Sequence, residues 1–552
     1  MTTVDPDEIF DRPADPDDPP EDAPAGGSVE ERTKHVPHTP PSVMTLGGLT
    51  EAELADALAS EVHTDRYIYV TGIGWLEWNG AVWAEATEVT LLEATRVWML
   101  QKLDEAVAAV KAGKEGASDV LKVIASRLSL ARLRAILSLS RGLVEHPAEA
   151  LDSDPDVLNT PSGVVDLRTG KLHPHDPDSL CTKITRGSYR PGYTHPDWDK
   201  ALEAVSKEKV SFLQARFGQG VSGHPTPDGI VPILQGGGEN GKSLLTTDGV
   251  MPALGDYASA ASPKLFCSSR SEHSTERADL RGRRLVIAEE LTEGRSLDVT
   301  ALKQVADVGR IKARYTHKDN LEFDASHSIV VTTNYRPKVS ETDHGTWRRL
   351  VLVIFAYTYL KPGQEIVNPE FERRGDPLLK ARIKAGDDGQ HDAIVTWIVE
   401  GAVAWYSECA EAQNAIAEER EVPASILTPP AEVAEDTLTW RAEADHVLGF
   451  WREILEPCAD ASIPTKDMLM LFNAWLSANG HASWSKETFG PRFAEHTETK
   501  RNRVVRRRIR DHSGIVRPVG PWELSLNPLP AQPEVWHGVR YRDDAYLVAP
   551  PA

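Results

Sequence analysis

Ile230-Val231-Pro232-Ile233-Leu234-Gln235-Gly236-Gly237-Gly238-Glu239-Asn240-Gly241-Lys242-Ser243 decides how this chain is read. An apolar run feeds a glycine-rich loop. From Gly236 to Ser243 the spacing satisfies G-x-x-x-x-G-K-[ST] without substitution. Each residue type has a chemical reason. Glycines let backbone N–H groups curl around a triphosphate, Lys242 can reach the β- and γ-phosphates, and the Ser243 hydroxyl can ligate Mg²⁺. A helix over Ser243–Val250 would aim its positive end at the same phosphates. The nucleotide-binding residues are therefore Gly236, Gly237, Gly238, Glu239, Asn240, Gly241, Lys242 and Ser243.

A nucleotide hydrolase also needs an acid for Mg²⁺ and water, a γ-phosphate sensor and an arginine for transition-state charge. All three follow in order. Arg284-Leu285-Val286-Ile287-Ala288-Glu289-Glu290 reads as a buried strand ending in two carboxylates. Glu289 is placed to hold Mg²⁺ and Glu290 to orient water. Ser328-Ile329-Val330-Val331-Thr332-Thr333-Asn334 ends a second apolar strand in an amide that can bond a γ-phosphate. Asp343-His344-Gly345-Thr346-Trp347-Arg348-Arg349 precedes a third strand, and spacing leaves open which arginine is the finger. Between acids and sensor, Gly309–Phe323 reads as a hairpin with His317 and Lys318 near its tip. A basic tip of this kind can grip a phosphodiester backbone.

The bulk numbers fit a large multidomain chain: 552 residues, 40% hydrophobic. Cys181, Cys267, Cys409 and Cys458 are too scattered for a zinc site or a disulfide framework, which favours a reducing cytoplasm. No run approaches the ~18 apolar residues of a membrane span, so no membrane partner is expected. A net charge of -22 argues against nucleic acid until its placement is seen. Residues 1–34 carry eleven acids and three bases, whereas residues 500–510 carry seven bases and no acid.

The organisation expected is an acidic disordered arm (1–45), an accessory domain of hairpin plus helices (46–195), an α/β ATPase domain (196–410), a linker (411–444), a small basic domain (445–520) and a tail (521–552). Trp75, Trp78 and Trp83 around Asn79-Gly80 predict a hairpin whose tryptophans are core. Residues 88–147 predict helices, and Asn159–Gly170 one short strand between two turns. Asp152, Asp154 and Asp156 read as a loop rather than a metal site. Pro423, Pro429 and Pro430 mark the linker.

The order of phosphate loop, strand with acids, basic hairpin, strand-Thr-Thr-Asn and Trp-Arg-Arg resembles a superfamily 3 helicase. More narrowly it resembles the helicase half of phage and plasmid primase–helicases, relatives of the poxvirus enzyme. The Asn159–Gly170 stretch and the tryptophan hairpin resemble the accessory domain that precedes the helicase there. The resemblance covers roughly residues 65–515 and is specific over 230–355. It implies an AAA+ P-loop core in a homo-hexameric ring that hydrolyses ATP and moves along DNA, with sites between subunits. It places catalysis on Glu289, Glu290, Asn334 and a trans finger at Arg348 or Arg349, and pore contact on Lys318 and His317. Where many members have Asp before Glu, this chain has Glu289, which leaves the division of roles between the two glutamates open. About 60 residues precede the tryptophan hairpin, too few for the upstream primase domain of relatives, so a primase would be a separate partner.

The basic domain reads as three helices, the last over 486–495, followed by a basic strand pair, and resembles a winged helix. Arg501, Arg503, Arg506, Arg507 and Arg508 would contact DNA phosphates with strong salt dependence. The reading is thus a multidomain α/β protein: an AAA+ P-loop ATPase core, a helical accessory N-terminal domain and a C-terminal winged helix. The function expected is an ATP-dependent helicase acting on single-stranded and forked DNA during phage or mobile-element replication. The alternative is an ATP-switched DNA-binding loader or initiator that unwinds little itself.

Overall fold

Apolar strands alternating with helices after residue 190 build a five-stranded, all-parallel sheet in the computed structural model. Described are residues 50–262, 265, 274–289, 297, 299–306, 309–314, 320–339, 344–518 and 527–542. The acidic arm, Cys267, Glu290, His317, Lys318 and Asp343 lie outside them. Two compact units divide the chain: Met1–Pro191 with Tyr406–Ile426, and Gly192–Trp405 with Leu427–Ala552.

The first unit begins at a helix, Glu51–Leu58, opened by a reciprocal cap. The Thr50 hydroxyl accepts from the Glu53 N–H at 3.3 Å, and the Glu53 carboxylate accepts from the Thr50 N–H at 2.9 Å. Helices Glu88–Lys111, Ala117–Arg127 and Leu130–Ser140 fill the stretch expected to be helical. Leu54, Leu58, Trp98, Met99, Ile124 and Ile136 form their shared core. The tryptophan hairpin forms as read. Trp78 faces Trp83 across it, Gly80 takes φ +98°, and Trp75 and Trp83 are buried as core residues. Asn159–Gly170 holds more than one strand. Val157–Thr160, Gly163–Asp166 and Lys171–His173 make a three-stranded sheet. Fully buried Asn159 donates its amide to the Ala81 and Lys183 carbonyls at 2.9 and 3.0 Å, tying this sheet to the hairpin turn. Asp152 accepts from the Thr182 N–H, and Asp156 pairs with Arg168. Among the described residues no cluster has metal-binding composition.

In the second unit the sheet order is Leu350–Ile354, Val231–Gln235, Ser328–Thr333, Leu285–Glu289, Ala258–Ala261. The strand feeding the phosphate loop is therefore interior, and the Asn334 strand lies between it and the Glu289 strand. The expected 411–444 linker is corrected. Helix Gln390–Ala417 covers its start and helix Ala431–Ala444 its end. Pro423, Pro429 and Pro430 fall between these helices, and Pro430 is the N-cap of the second, where the lack of an N–H costs nothing. That second helix covers the sheet edge. The Thr437 hydroxyl accepts from the Leu352 N–H at 2.9 Å, and Lys209 joins Glu432, Asp436 and the Ile354 carbonyl.

The basic domain extends past its expected end at 520. Glu534–Tyr541 is the middle strand of a three-stranded sheet, between Leu455–Pro464 and Val505–Arg508. Val535, Trp536, Val539 and Tyr541 are buried, which explains why the sheet needs it. Helices His446–Glu453, Thr465–Ala478 and Lys486–Glu495 pack around it with Phe450, Phe472, Phe489 and Phe493. The expected basic strand pair is one basic strand, entered from the short helix Thr497–Arg501.

Two of the buried histidines, His63 in the first unit and His327 in the second, favour the neutral ring. His63 bonds Ser140 at 3.0 Å beside Trp75, and His327 donates Nε2–H to the Val305 carbonyl at 2.9 Å. Burial pushes each pKa down from 6.5 to about 4. The folded state thus prefers the neutral ring. Its contribution is complete above pH 6.5 and is lost as pH falls toward 4, about 3 kcal/mol per histidine. Urea midpoints should fall between pH 7 and 4.5, and fall less in the His63→Gln/His327→Gln double variant. Equal falls would show that other groups carry the acid sensitivity.

Candidate nucleotide site

The phosphate loop leaves its strand at Gly236, whose N–H donates to the Thr333 carbonyl at 3.2 Å. Only glycine fits there: a Cβ would lie 2.0 Å from Asn240 Nδ2 and 2.8 Å from the Phe355 carbonyl oxygen. Gly238, Glu239 and Gly241 take φ of +101°, +49° and +90°, curling the backbone before a helical turn opens at Lys242. The helix expected over Ser243–Val250 is present as an α-turn, Lys242–Leu245, continued by a π-turn, Thr246–Val250. Gly237 and Gly238 border open space where side chains would otherwise project.

Lys242 is 5% exposed, and its ammonium is held by oxygens from two motifs. Nζ donates to the Gly236 carbonyl, to Asn240 Oδ1 at 3.1 Å and to Asn334 Oδ1 at 3.2 Å. The last bond joins residues 92 positions apart. It places the Asn334 amide directly beside the loop lysine. Asn240 also accepts from the Lys242 N–H, while its own buried Nδ2 has no partner among the described residues. Such an orphaned donor at a loop of N–H groups suits an anionic ligand. Glu289 ends its strand exposed and sits in register with Thr332, two residues before Asn334. Ser243 is exposed at the helix start. Ser243, Glu289, Asn334 and Lys242 thus share the carboxyl edge of one parallel sheet, the usual ligand edge of such sheets.

The two candidate finger arginines differ. Arg349 is buried, donates Nη1 to the Gly345 carbonyl, and its backbone carbonyl accepts from the Val231 N–H at 2.7 Å. Arg348 beside it is exposed. Strands Arg310–Arg314 and Asn320–Asp324 form the expected hairpin, with its tip outside the described residues. The five basic-domain arginines do not make one face. Arg506 and Arg508 alternate with Arg507 along an exposed strand and so point to opposite sides. Arg506 is paired with Glu534 at 2.7 Å. Arg501 ends the preceding helix and Arg503 sits in the turn at φ +53°. Sequence reasoning did not single out Tyr359 or Lys361, which flank the loop. Tyr359 N–H donates to the Glu239 carbonyl at 2.7 Å, and Lys361 pairs with the Glu239 carboxylate at 2.6 Å. Their only signal was position, just after the strand beside the phosphate-loop strand.

Segments of the chain match known families. Residues 55–207 match the family described as D5 N terminal like, and residues 442–514 the family described as Poxvirus D5 protein-like. The chain is similar to D5-type primase–helicases. Between those segments, residues 234–349 match a family of unknown function, DUF5906, which spans the loop, Glu289, Asn334 and both arginines. The D5-type relatives are viral. "Putative primase C962R" of African swine fever virus is 28% identical over 213 residues, 37% of this chain and 22% of the relative. "Putative helicase 022R" of Frog virus 3 is 23% identical over 49% of this chain and 26% of its own length. "Putative helicase 184R" of Invertebrate iridescent virus 6 is 20% identical over 82% and 53%. The chain matches about a fifth of the length of the first of these. The solved apo C-terminal region of NrS-1 aligns with 67% of this chain and 88% of its own at 10% identity and TM-score 0.32, too distant a likeness to carry an argument. No described helix is long and apolar enough to cross a membrane.

Proposed function

We propose that this chain is an ATP-driven DNA helicase of superfamily 3 built on an AAA+ core and working as a homo-hexamer in replication. The observation that carries the reading is the bond from Lys242 Nζ to Asn334 Oδ1, with Glu289 on the neighbouring strand edge. The names of the D5-type relatives, helicase and primase, agree with it.

In this mechanism the N–H groups of Gly236–Gly241 cradle the phosphates, and Lys242 exchanges its Asn334 contact for phosphate oxygens. Asn334, released, holds the attacking water or a γ-oxygen. Ser243 and Glu289 would hold Mg²⁺, which neutralises charge on the phosphoryl oxygens. Glu290 orients the water. Arg348, being exposed, is the finger that enters a neighbouring subunit's site. His317 and Lys318 grip single-stranded DNA in the pore. Arg501, Arg503, Arg507 and Arg508 contact duplex phosphates at a fork, and Arg506 serves more as partner of Glu534. A separate primase would complete the replication unit.

ATP hydrolysis with and without single-stranded DNA, together with strand displacement from a forked duplex, tests the proposal. DNA-stimulated hydrolysis with unwinding is expected, and both should vanish in Lys242→Ala. Hydrolysis without displacement would favour the loader. Displacement that survives Lys242→Ala would overturn the site.

A further inference from the structure

The strand order gives the candidate site two unlike flanks. Asn334 and Glu289 follow or end strands on one side of the phosphate-loop strand, and Leu350–Ile354 lies on the other. A nucleotide whose γ-phosphate faced Asn334 would extend along the loop toward the opposite flank. The chain leaving that flank is Phe355–Lys361.

That segment is fixed to the loop. Phe355 N–H donates to the Gln235 carbonyl at 2.8 Å, Tyr359 N–H to the Glu239 carbonyl at 2.7 Å, and Lys361 pairs with Glu239 at 2.6 Å. Thr358–Leu360 is stiffened by pairing with Glu372–Arg374, and Arg373 lies 4.3 Å over the Tyr357 ring. Tyr359 is half-buried with its ring beside the loop. A Cβ on Gly241 would lie 3.9 Å from Tyr359 Cε2 and 2.7 Å from Ala204 Cβ. Burial, with Glu203 adding to it, raises the pKa of the Tyr359 hydroxyl and keeps the ring neutral. A neutral aromatic ring beside Gly241, on the flank away from Glu289 and Asn334, is suited to a base's π-face.

We infer that Phe355–Lys361 is the nucleoside wall of the site and that the Tyr359 ring is the surface on which the base of the nucleotide packs. This rests on the nucleotide reading above and adds what holds the base, which the phosphate-loop motif does not specify. Lys361 acts through Glu239 and is a positioning residue.

The test compares two ligands on the full chain: MgATP, and Mg²⁺ with inorganic tripolyphosphate, which has no base. Tyr359→Ala should weaken MgATP about tenfold and leave tripolyphosphate unchanged, while Tyr359→Phe retains both. Equal weakening for both ligands would show that Tyr359 only shapes the loop and would overturn the inference. A second measurement needs no variant. Irradiation of the wild type with 8-azido-ATP should label a peptide containing residues 355–361, and labelling confined to other segments would overturn it. Failure of wild type to bind either ligand would instead sink the nucleotide reading itself.

Discussion

Arg348→Ala should lower ATP turnover about a thousandfold and leave the melting temperature unchanged, while Arg349→Ala should lower the melting temperature. The two neighbours have opposite environments. Arg348 is exposed at the turn before the edge strand. Arg349 is 7% exposed and bonded to the Gly345 carbonyl. Removing Arg349 leaves that acceptor short of a donor in the core, a loss of about 1–3 kcal/mol. Removing Arg348 breaks no side-chain bond seen among the described residues and takes a charge from a site it would complete elsewhere. Mixing settles whether that site belongs to a neighbour. Lys242→Ala subunits retain Arg348, and Arg348→Ala subunits retain the loop lysine. Two inactive proteins should therefore regain part of the turnover when combined. No recovery would place Arg348 outside any trans site, and a thousandfold loss in Arg349→Ala with unchanged stability would exchange the two roles.

The second large effect is on stability. Trp440→Ala should cost about 3–5 kcal/mol, seen as a lowered urea midpoint, with Trp440→Phe recovering much of it. Trp440 is 2% exposed, packs edge-on against Trp347 at 5.0 Å, and donates its indole N–H to the Pro337 carbonyl at 3.2 Å. It pins helix Ala431–Ala444 across the edge strand that Thr437 caps. Loosening this helix exposes an apolar strand edge, so the variant should also aggregate on warming. A cost under about 1 kcal/mol would mean that the helix is held by Lys209 and its two carboxylates instead.

The strand ends that meet at the candidate nucleotide edge were legible because each is written in a local run of sequence. The loop is written in eight consecutive residues, and each of Glu289 and Asn334 ends an apolar run. Strand order was not legible, since only pairing places the Asn334 strand between the other two. The 411–444 stretch was misread because clustered prolines signal a break without saying how short it is. Residues 534–541 were missed because their pattern, with Gly538 and Pro533 close by, looks like a tail until a partner strand is supplied. The arginines of 501–508 looked like a single patch because charge is counted along the chain, whereas a strand sends alternate residues to opposite faces. Tyr359 carries no motif; its meaning comes from where Glu239 holds it.

The first unit is interrupted by 214 residues, 192 through 405, before it receives Tyr406–Ile426. Tyr406 there donates to Asp156, and the Arg168 guanidinium lies 5.2 Å over its ring. These contacts close a very long loop, and long-range closure is slow because its entropy is lost before the contact is made. During synthesis the helices around Trp98 and the local Asp156–Arg168 pair can form early, but the Tyr406 contacts must wait until the whole inserted segment has been made. Fragments ending near 191 would carry that region without its tyrosine. A single proteolytic nick inside 192–405 would remove no residue of the Asp156–Arg168–Tyr406 contact.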